Sequence, residues 1–308
     1  MKLKIILNPR SRNGTNRYLV PILREKFAPS LVGIELTTRS DHASDVARRA
    51  IKQGVDTIVA VGGDGTVNAV LNGIAGTDVA LGIIPTGTAN DLASLYGVPG
   101  DASEACDIIL ERRIHCADLI GVNGRYYGTA GGLGLPCRVA AIANEIKRHG
   151  MVGQGLQHTL GSKLYLLAAL YEVLKKAPRG NVLSIRWNGC AMSSDALALT
   201  IANQPFLGKH FLVSPGAVND DGLFDICLIE RPKSRVQTLS TALKTLSGGH
   251  VDSPYVKTWR ASDLMVEAAK PATFFGDGEV FDRAREFRIK IFPHAVNVIA
   301  PKGKTAEA

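Results

Sequence analysis

The chain has little of what usually staples a small secreted domain or builds a metal centre. Its five cysteines, Cys106, Cys116, Cys137, Cys190 and Cys227, form no Cys-x-x-Cys pair. Neither a disulfide framework nor a zinc site is indicated; buried apolar thiols in a reducing cytoplasm are expected. The seven histidines show no ligand spacing, which argues against a nitrogen-ligated metal. Long hydrophobic runs are also missing. The longest helical one, Leu164 to Leu174, carries Glu172 and falls well short of the ~20 residues that cross a bilayer. Basic residues occur as scattered pairs (Arg48-Arg49, Arg112-Arg113, Lys175-Lys176) rather than blocks, so nucleic acid is not expected as a partner. There is no GxxxxGK[ST] loop, and Gly131-Gly132-Leu133-Gly134 lacks the third glycine of a dinucleotide fingerprint.

What is present is a globular composition: 308 residues, 45% hydrophobic and 21% charged, with net charge +8 and a pI near 9.3. The length sits nearer two domains than one, and the basic balance favours anionic partners. Over residues 1–120, strand and helix patterns alternate, the signature of a parallel sheet covered by helices. Lys4 to Leu7 reads as a strand closed by Pro9. Ala43, Val46, Ala47, Ala50 and Ile51 mark one helix face, capped by Ser40 or Asp41 and stopped at Gly54. Asp56 to Val61 reads as a buried strand, Val67, Val70, Leu71 and Ile74 as a helix, and Val79 to Ile84 as the next strand. After Asp118, short strands and hairpin dipeptides such as Asn123-Gly124 and Asn188-Gly189 take over. Residues 121–292 are therefore expected to form a mostly antiparallel β domain with one helical insert over 162–176. The segment 293–303 is expected to complete the α/β domain.

The strongest local signal is Val61-Gly62-Gly63-Asp64-Gly65-Thr66-Val67-Asn68, between a strand and a helix. Glycines let backbone N–H groups approach phosphate oxygens, and a helix N-terminus favours negative charge. Asp64 would repel a bare phosphate, so its presence points to a shared cation such as Mg²⁺. Asn8-Pro9-Arg10-Ser11-Arg12-Asn13-Gly14 and Pro85-Thr86-Gly87-Thr88-Ala89-Asn90-Asp91 end two further strands. In an open parallel sheet, loops at the carboxyl ends of strands share one crevice, so all three are expected to converge.

The set NPRSRNG, GGDGTVN and PTGTANDLA resembles the diacylglycerol kinase catalytic family, which includes bacterial diacylglycerol kinases and relatives of sphingosine and ceramide kinases. Asp118, the segment from Ser214 to Asp225, and Asp277-Gly278-Glu279 match as well, in order, across essentially the whole chain. GGDGT is shared with NAD kinases and phosphofructokinases, whereas GTAND with a late DGE marks the lipid branch. The resemblance implies nucleotide contacts at Asn8, Pro9, Arg10, Ser11, Arg12, Thr37, Gly63, Asp64, Gly65, Thr66, Val67, Asn68 and Thr88. It implies a phosphate and metal relay of Asp64, Asn90, Asp91 and Asp118. It further implies a structural Mg²⁺ held by Asp221 and the carbonyls of Val218 and Leu223. Arg12 and Asp41 stand where the family usually has glycine.

Asp277 and Glu279, spaced i and i+2, face one side on a strand and diverge on a turn. Phosphoryl transfer to an alcohol needs a group that takes or orients the hydroxyl proton. The resemblance gives that work to Glu279, with Asp277 beside it. The resulting expectation is an ATP- and Mg²⁺-dependent lipid kinase acting on diacylglycerol or a related lipid alcohol. Its first domain holds nucleotide and its second holds lipid, and it works in the cytoplasm, peripheral to the inner face of the membrane. A sphingoid-base or ceramide kinase, an NAD-kinase-like enzyme and a non-catalytic binding protein stay open as alternatives, as does a homodimer.

Overall fold

The computed structural model describes residues 1–11, 14–39, 41–148, 163–175 and 180–302. Arg12, Asn13 and Ser40, which carried sequence expectations, lie outside the described residues. The chain forms two compact units. Unit 1 takes Met1–Leu119, Tyr126–Gly128 and the described residues from Phe292 on; unit 2 takes Ile120–Arg125 and Thr129–Ile291.

Unit 1 is built on strands β1 (Leu3–Leu7), β2 (Leu31–Leu36), β3 (Thr57–Gly62) and β4 (Ala80–Pro85). They pair in parallel in the order β2-β1-β3-β4. Every residue of β3 and β4 is buried, as central parallel strands require when helices cover both faces. The helices are α1 (Leu19–Phe27), α2 (His42–Lys52), α3 (Asp64–Ile74), α4 (Asp91–Leu95) and α5 (Ala102–Glu111). Helix α2 buries Ala43, Val46, Ala47 and Ala50, the face its apolar period marks. Helix α5 begins at Asp101, whose carboxylate accepts the amides of Ser103 and Glu104, an N-cap. Strands β5 (Ile114–Val122) and β6 (Arg125–Tyr127) follow.

Unit 2 is antiparallel. Strands β7 (Ala130–Gly134), β8 (Asn181–Trp187), β9 (Cys190–Ala202), β12 (Phe224–Glu230), β13 (Val256–Ala261), β14 (Asp263–Gly276) and β15 (Glu279–Ile299) supply its sheet. β10 (Phe206–Leu207) and β11 (Phe211–Leu212) pair separately. The order runs β13-β12-β9-β7-β14-β15, with β8 bonded to both β9 and β14. Strand β15 runs past the expected boundary at 292; its last residues belong to unit 1 and pair in parallel with β4, Asn297 opposite Ala80. The single expected helical insert is also an undercount. Helices α6 (Leu135–Arg148), α7 (Lys163–Lys175) and α8 (Arg235–Lys244) all lie among the described residues of this unit.

The glycines of Gly131-Gly132-Leu133-Gly134 serve strand contact. A Cβ on Gly132, at φ +154°, would stand 2.0 Å from the carbonyl oxygen of Leu199 on β9. All five cysteines are free, and only Cys106, Cys137 and Cys227 are buried. Burial pushes the Cys227 thiol up to about 12 and those of Cys106 and Cys137 up to about 11. These three are protonated small hydrophobes; Cys116 and Cys190 depart from the expectation by being exposed.

Candidate active site

Because β1, β3 and β4 run parallel as neighbours, the loops leaving their carboxyl ends meet on one edge of unit 1. Hydrogen bonds tie them together. Asn8 continues β1: its amide donates to the Val61 carbonyl at 2.9 Å, and its side-chain Nδ2 donates to Thr66 Oγ1 at 3.1 Å. Its Oδ1 accepts the amide of Arg10 at 2.9 Å, folding the loop back on itself. The Thr86 amide donates to the Gly62 carbonyl at 2.8 Å, holding the third loop against the second. Asn16, fully buried, donates from Nδ2 to both the Asn8 carbonyl at 3.0 Å and Thr86 Oγ1 at 2.8 Å. It is one amide shared between the first loop and the third.

Asp64, the first residue of α3, makes the tightest of these ties. Its Oδ2 accepts the amide of Asn90 at 2.9 Å and its Oδ1 that of Asp91 at 2.6 Å. Asn90 sits in the left-handed region at φ +52° as the N-cap of α4. Its side chain closes a small ring, with Oδ1 accepting from the Gly87 amide and Nδ2 donating to the Gly87 carbonyl, both at 2.9 Å. The carboxylate of the second loop is thereby held at the start of the helix that follows the third. Both carboxylate oxygens are acceptors, the chemistry by which an aspartate holds a metal-bound water.

Close backbone approach explains two of the glycines. A Cβ on Gly87 would lie 2.5 Å from the Gly63 Cα, and one on Gly63 would lie 3.1 Å from the Gly87 Cα. Gly87→Ala should therefore push the two loops apart. We expect nucleotide affinity measured by calorimetry to fall at least about tenfold, while unfolding shifts by only about 1–3 kcal/mol, the usual cost of overpacking. An alanine variant that binds nucleotide like the parent would remove this contact from the site.

Other expected positions have structural employment. Asn68 donates to the Tyr126 carbonyl at 3.2 Å, and Asn72 holds the same residue twice, donating to its carbonyl at 2.8 Å and accepting its amide at 2.8 Å. This amide clamp fixes residues 126–128 within unit 1. The Thr37 amide donates to the Leu7 carbonyl, and His42 Nδ1 accepts the Thr38 amide at 3.1 Å. Asp118 is fully buried and accepts the amide of His294 at 2.8 Å. Gly63, Asp64, Gly65, Gly87 and Thr88 are half-buried at the loop edge, and Arg10 is exposed beside Pro9 and Ser11.

In unit 2, Asp277-Gly278 is a turn. Gly276 pairs with Glu279 across a two-residue connection with φ +49° and +76°, matching Asn123-Gly124 and Asn188-Gly189 in hand. The two carboxylates accordingly diverge. Asp277 is buried, and its Oδ1 accepts both the amide of Thr129 at 2.9 Å and the Thr129 hydroxyl at 2.6 Å. Glu279 is exposed at the start of β15. Thr129 had no sequence signal, since its partner lies 148 positions away. The same holds for Asn16, whose partner Thr86 lies in the third loop, 70 positions away.

The donor sets differ in how well they fit a metal. Among the described residues no group of three or more His, Cys, Asp or Glu side chains could hold an ion. The loop edge with Asp64 nonetheless fits Mg²⁺ arriving with a nucleotide, since that ion commonly takes one or two carboxylates plus phosphate oxygens and water. The segment with Val218, Asp221 and Leu223 fits less well as it stands. Asp221 Oδ1 accepts the Leu223 amide at 3.1 Å, and its Oδ2 pairs with the guanidinium of Arg260. That guanidinium also lies 3.4 Å from Asp225, whose carboxyl burial pushes up against the pull of Arg260. One cation, the Arg260 side chain, already lies beside both carboxylates. Asp221→Ala should cost about 1 kcal/mol, as part-exposed ion pairs do, and equally in Mg²⁺ and in EDTA. A melting temperature of the parent that rises with Mg²⁺, with the rise lost in Asp221→Ala, would show that the ion displaces Arg260.

Comparison with known proteins follows this division. Residues 2–122 match the family described as the diacylglycerol kinase catalytic domain. Residues 133–300 match the YegS C-terminal NAD kinase beta sandwich-like domain. A Pseudomonas aeruginosa protein named probable lipid kinase YegS-like is 30% identical, over 98% of this chain and 95% of its own. A Bacillus subtilis protein named diacylglycerol kinase is 26% identical, over 99% and 98%. A crystal structure described as a diacylglycerol kinase from Bacillus anthracis shares the fold, with a TM-score of 0.77 at 23% identity, covering 98% of this chain and 97% of that one. A catalytic-domain match over the three loops, a β-domain match over more than half the chain and a relative 30% identical along almost the whole length place the protein in the family of YegS-like lipid kinases and diacylglycerol kinases.

Proposed function

We propose that this protein transfers the γ-phosphate of ATP to the hydroxyl of a lipid alcohol, diacylglycerol or a close relative. The observation that carries the reading is the set of cross-bonds by which Asp64, Asn8 and Asn16 join three glycine-, threonine- and asparagine-rich loops. Phosphoryl transfer needs chiefly positioning and charge stabilisation, and a pre-tied edge of backbone amides and hydroxyls supplies the first. In this reading Asn8, Pro9, Arg10, Ser11, Arg12 and Thr37 meet the nucleotide from one side, and Gly63 to Asn68 with Thr88 from the other. Asp64, Asn90, Asp91 and Asp118 orient phosphate and metal-bound water. Mg²⁺, bound with the nucleotide, would neutralise charge building on the transferred group. Glu279 takes the hydroxyl proton of the acceptor, and Asp277, anchored to Thr129, holds the hairpin that presents it.

The lipid acceptor is supported by the family and by the GTAND and DGE motifs together. Among the described residues no helix is long and apolar enough to cross a membrane, so we place the enzyme as peripheral to the lipid surface it serves. The test is transfer of labelled γ-phosphate to a panel of diacylglycerols, sphingoid bases, ceramides and soluble alcohols including NAD, with and without Mg²⁺. Product confined to a diacylglycerol or related glycerolipid is expected. Label found only on NAD or another soluble acceptor would overturn the lipid assignment.

A further inference from the structure

Helix α8 is built inside out. It starts at Ser234 with a full capping box, the Ser234 hydroxyl accepting the Gln237 amide while the Gln237 side chain accepts the Ser234 amide. Its inward face is polar: Thr238 and Thr241 are buried, as is Thr245 just beyond its end. Two of these hydroxyls are satisfied by the helix itself, Thr238 donating to the Ser234 carbonyl at 3.0 Å and Thr245 to that of Ala242 at 2.6 Å. Its apolar residues face outward. Val236 is 78% exposed, Leu243 51% and Leu246 37%, with Leu239 half-buried between them. Val236, Leu239 and Leu243 recur at helical spacing and, with Ser240, Lys244 and Ser247, line an open groove; Leu246 follows just beyond the helix end. A surface helix normally does the reverse, so the outward stripe calls for a partner.

Charge identifies the partner. From Arg231 to Val251 the chain carries Arg231, Lys233, Arg235 and Lys244 and no acidic residue. Arg231 is paired with Asp195, but among the described residues no ion pair engages Lys233, Arg235 or Lys244. Helix α7, which packs against α8, also exposes Leu167, Leu170 and Tyr171, and its Glu172 is neutralised by Arg138. An apolar stripe bordered only by cations is the composition of a helix that lies in a membrane interface, its side chains in the acyl boundary and its cations at anionic headgroups.

We propose that α8 is a docking surface for an anionic lipid bilayer. The choice of lipid over a protein partner rests on the lipid-kinase reading above. The experiment uses the full chain in vesicle sedimentation, with vesicles of phosphatidylcholine alone or of phosphatidylcholine and phosphatidylglycerol in equal parts. The parent should bind the anionic vesicles, weaken with salt, and bind the neutral ones poorly. Val236→Glu with Leu243→Glu should lose at least about tenfold in vesicle affinity, and Lys233→Glu with Lys244→Glu a similar factor. Both double variants should melt like the parent, because the changed side chains are solvent-facing, and both should phosphorylate lipid dispersed in detergent at the parent rate. Unchanged vesicle binding in both would overturn the proposal, as would equal binding of the parent to neutral vesicles. A parent dimer in ultracentrifugation that Leu243→Glu converts to monomer would assign the stripe to a second copy of the chain instead. If no lipid is phosphorylated in detergent but anionic vesicles are still bound through α8, the kinase reading fails and the docking surface stands.

Discussion

Asp64→Ala should abolish turnover and weaken binding of ATP with Mg²⁺, while association with lipid stays near that of the parent. The carboxylate is doubly engaged, with the amides of Asn90 and Asp91 at 2.9 and 2.6 Å, and hydrogen bonds to a charged acceptor contribute about 1.5–3 kcal/mol each. Alanine leaves both amides at the start of α4 without this acceptor and removes the only acidic group of the glycine loop. Loss of one charge-organising group in a transition state costs about 10²–10³ in rate, and disordering the loop edge adds to that. Asp64→Asn separates the two effects. The amide keeps one acceptor oxygen, so the fold and part of the loop tie survive while the charge is gone. Turnover with saturating lipid, calorimetric ATP affinity and thermal melts together read the outcome. An asparagine variant with parental turnover would mean that Asp64 is a loop fastener and nothing more.

Glu279→Gln should slow turnover by about 10²–10⁴, the usual range for removing a general base, with ATP affinity and melting temperature unchanged. Glu279 is exposed at the first position of β15, and glutamine keeps the shape of the side chain while removing its charge. Its neighbour should behave differently. Asp277 is buried and accepts both the amide and the hydroxyl of Thr129. Asp277→Ala should therefore lower stability by about 2–4 kcal/mol, since a buried amide and hydroxyl lose their acceptor, and should slow turnover through the displaced hairpin. Thr129→Val removes only the hydroxyl donor and should reproduce a fraction of both losses. The two carboxylates are thus separable by melting temperature, which moves for Asp277 and holds for Glu279. Parental turnover of Glu279→Gln on every accepted lipid would falsify its assignment as the base.

The sequence by itself determined what depends on neighbours along the chain. The i, i+3, i+4 spacing of Ala43, Val46, Ala47 and Ala50 specifies the buried face of α2, because a helix repeats every 3.6 residues. Asn123-Gly124 and Asn188-Gly189 specify hairpins because only such pairs enter the left-handed region twice without strain. The three loops are legible for the same reason: glycine, threonine and asparagine between a strand and a helix are a local signal. Tertiary structure alone decided what those loops are tied by and which carboxylate of the Asp277-Gly278-Glu279 turn is buried. The bonds of Asn16 to Thr86, Asp64 to Asn90 and Thr129 to Asp277 join positions 70, 26 and 148 apart, and no periodicity links them. The resemblance likewise implied a cation at Asp221, whereas the approach of Arg260, on β13, to that carboxylate is visible only in the fold. Helix α8 marks the boundary between the two kinds of information. Val236, Leu239 and Leu243 recur at helical spacing in a segment not expected to be a helix, and periodicity is in any case blind to which face is buried. Packing turned the threonines in and the apolar stripe out, because a face is assigned by what it meets and not by what it is made of.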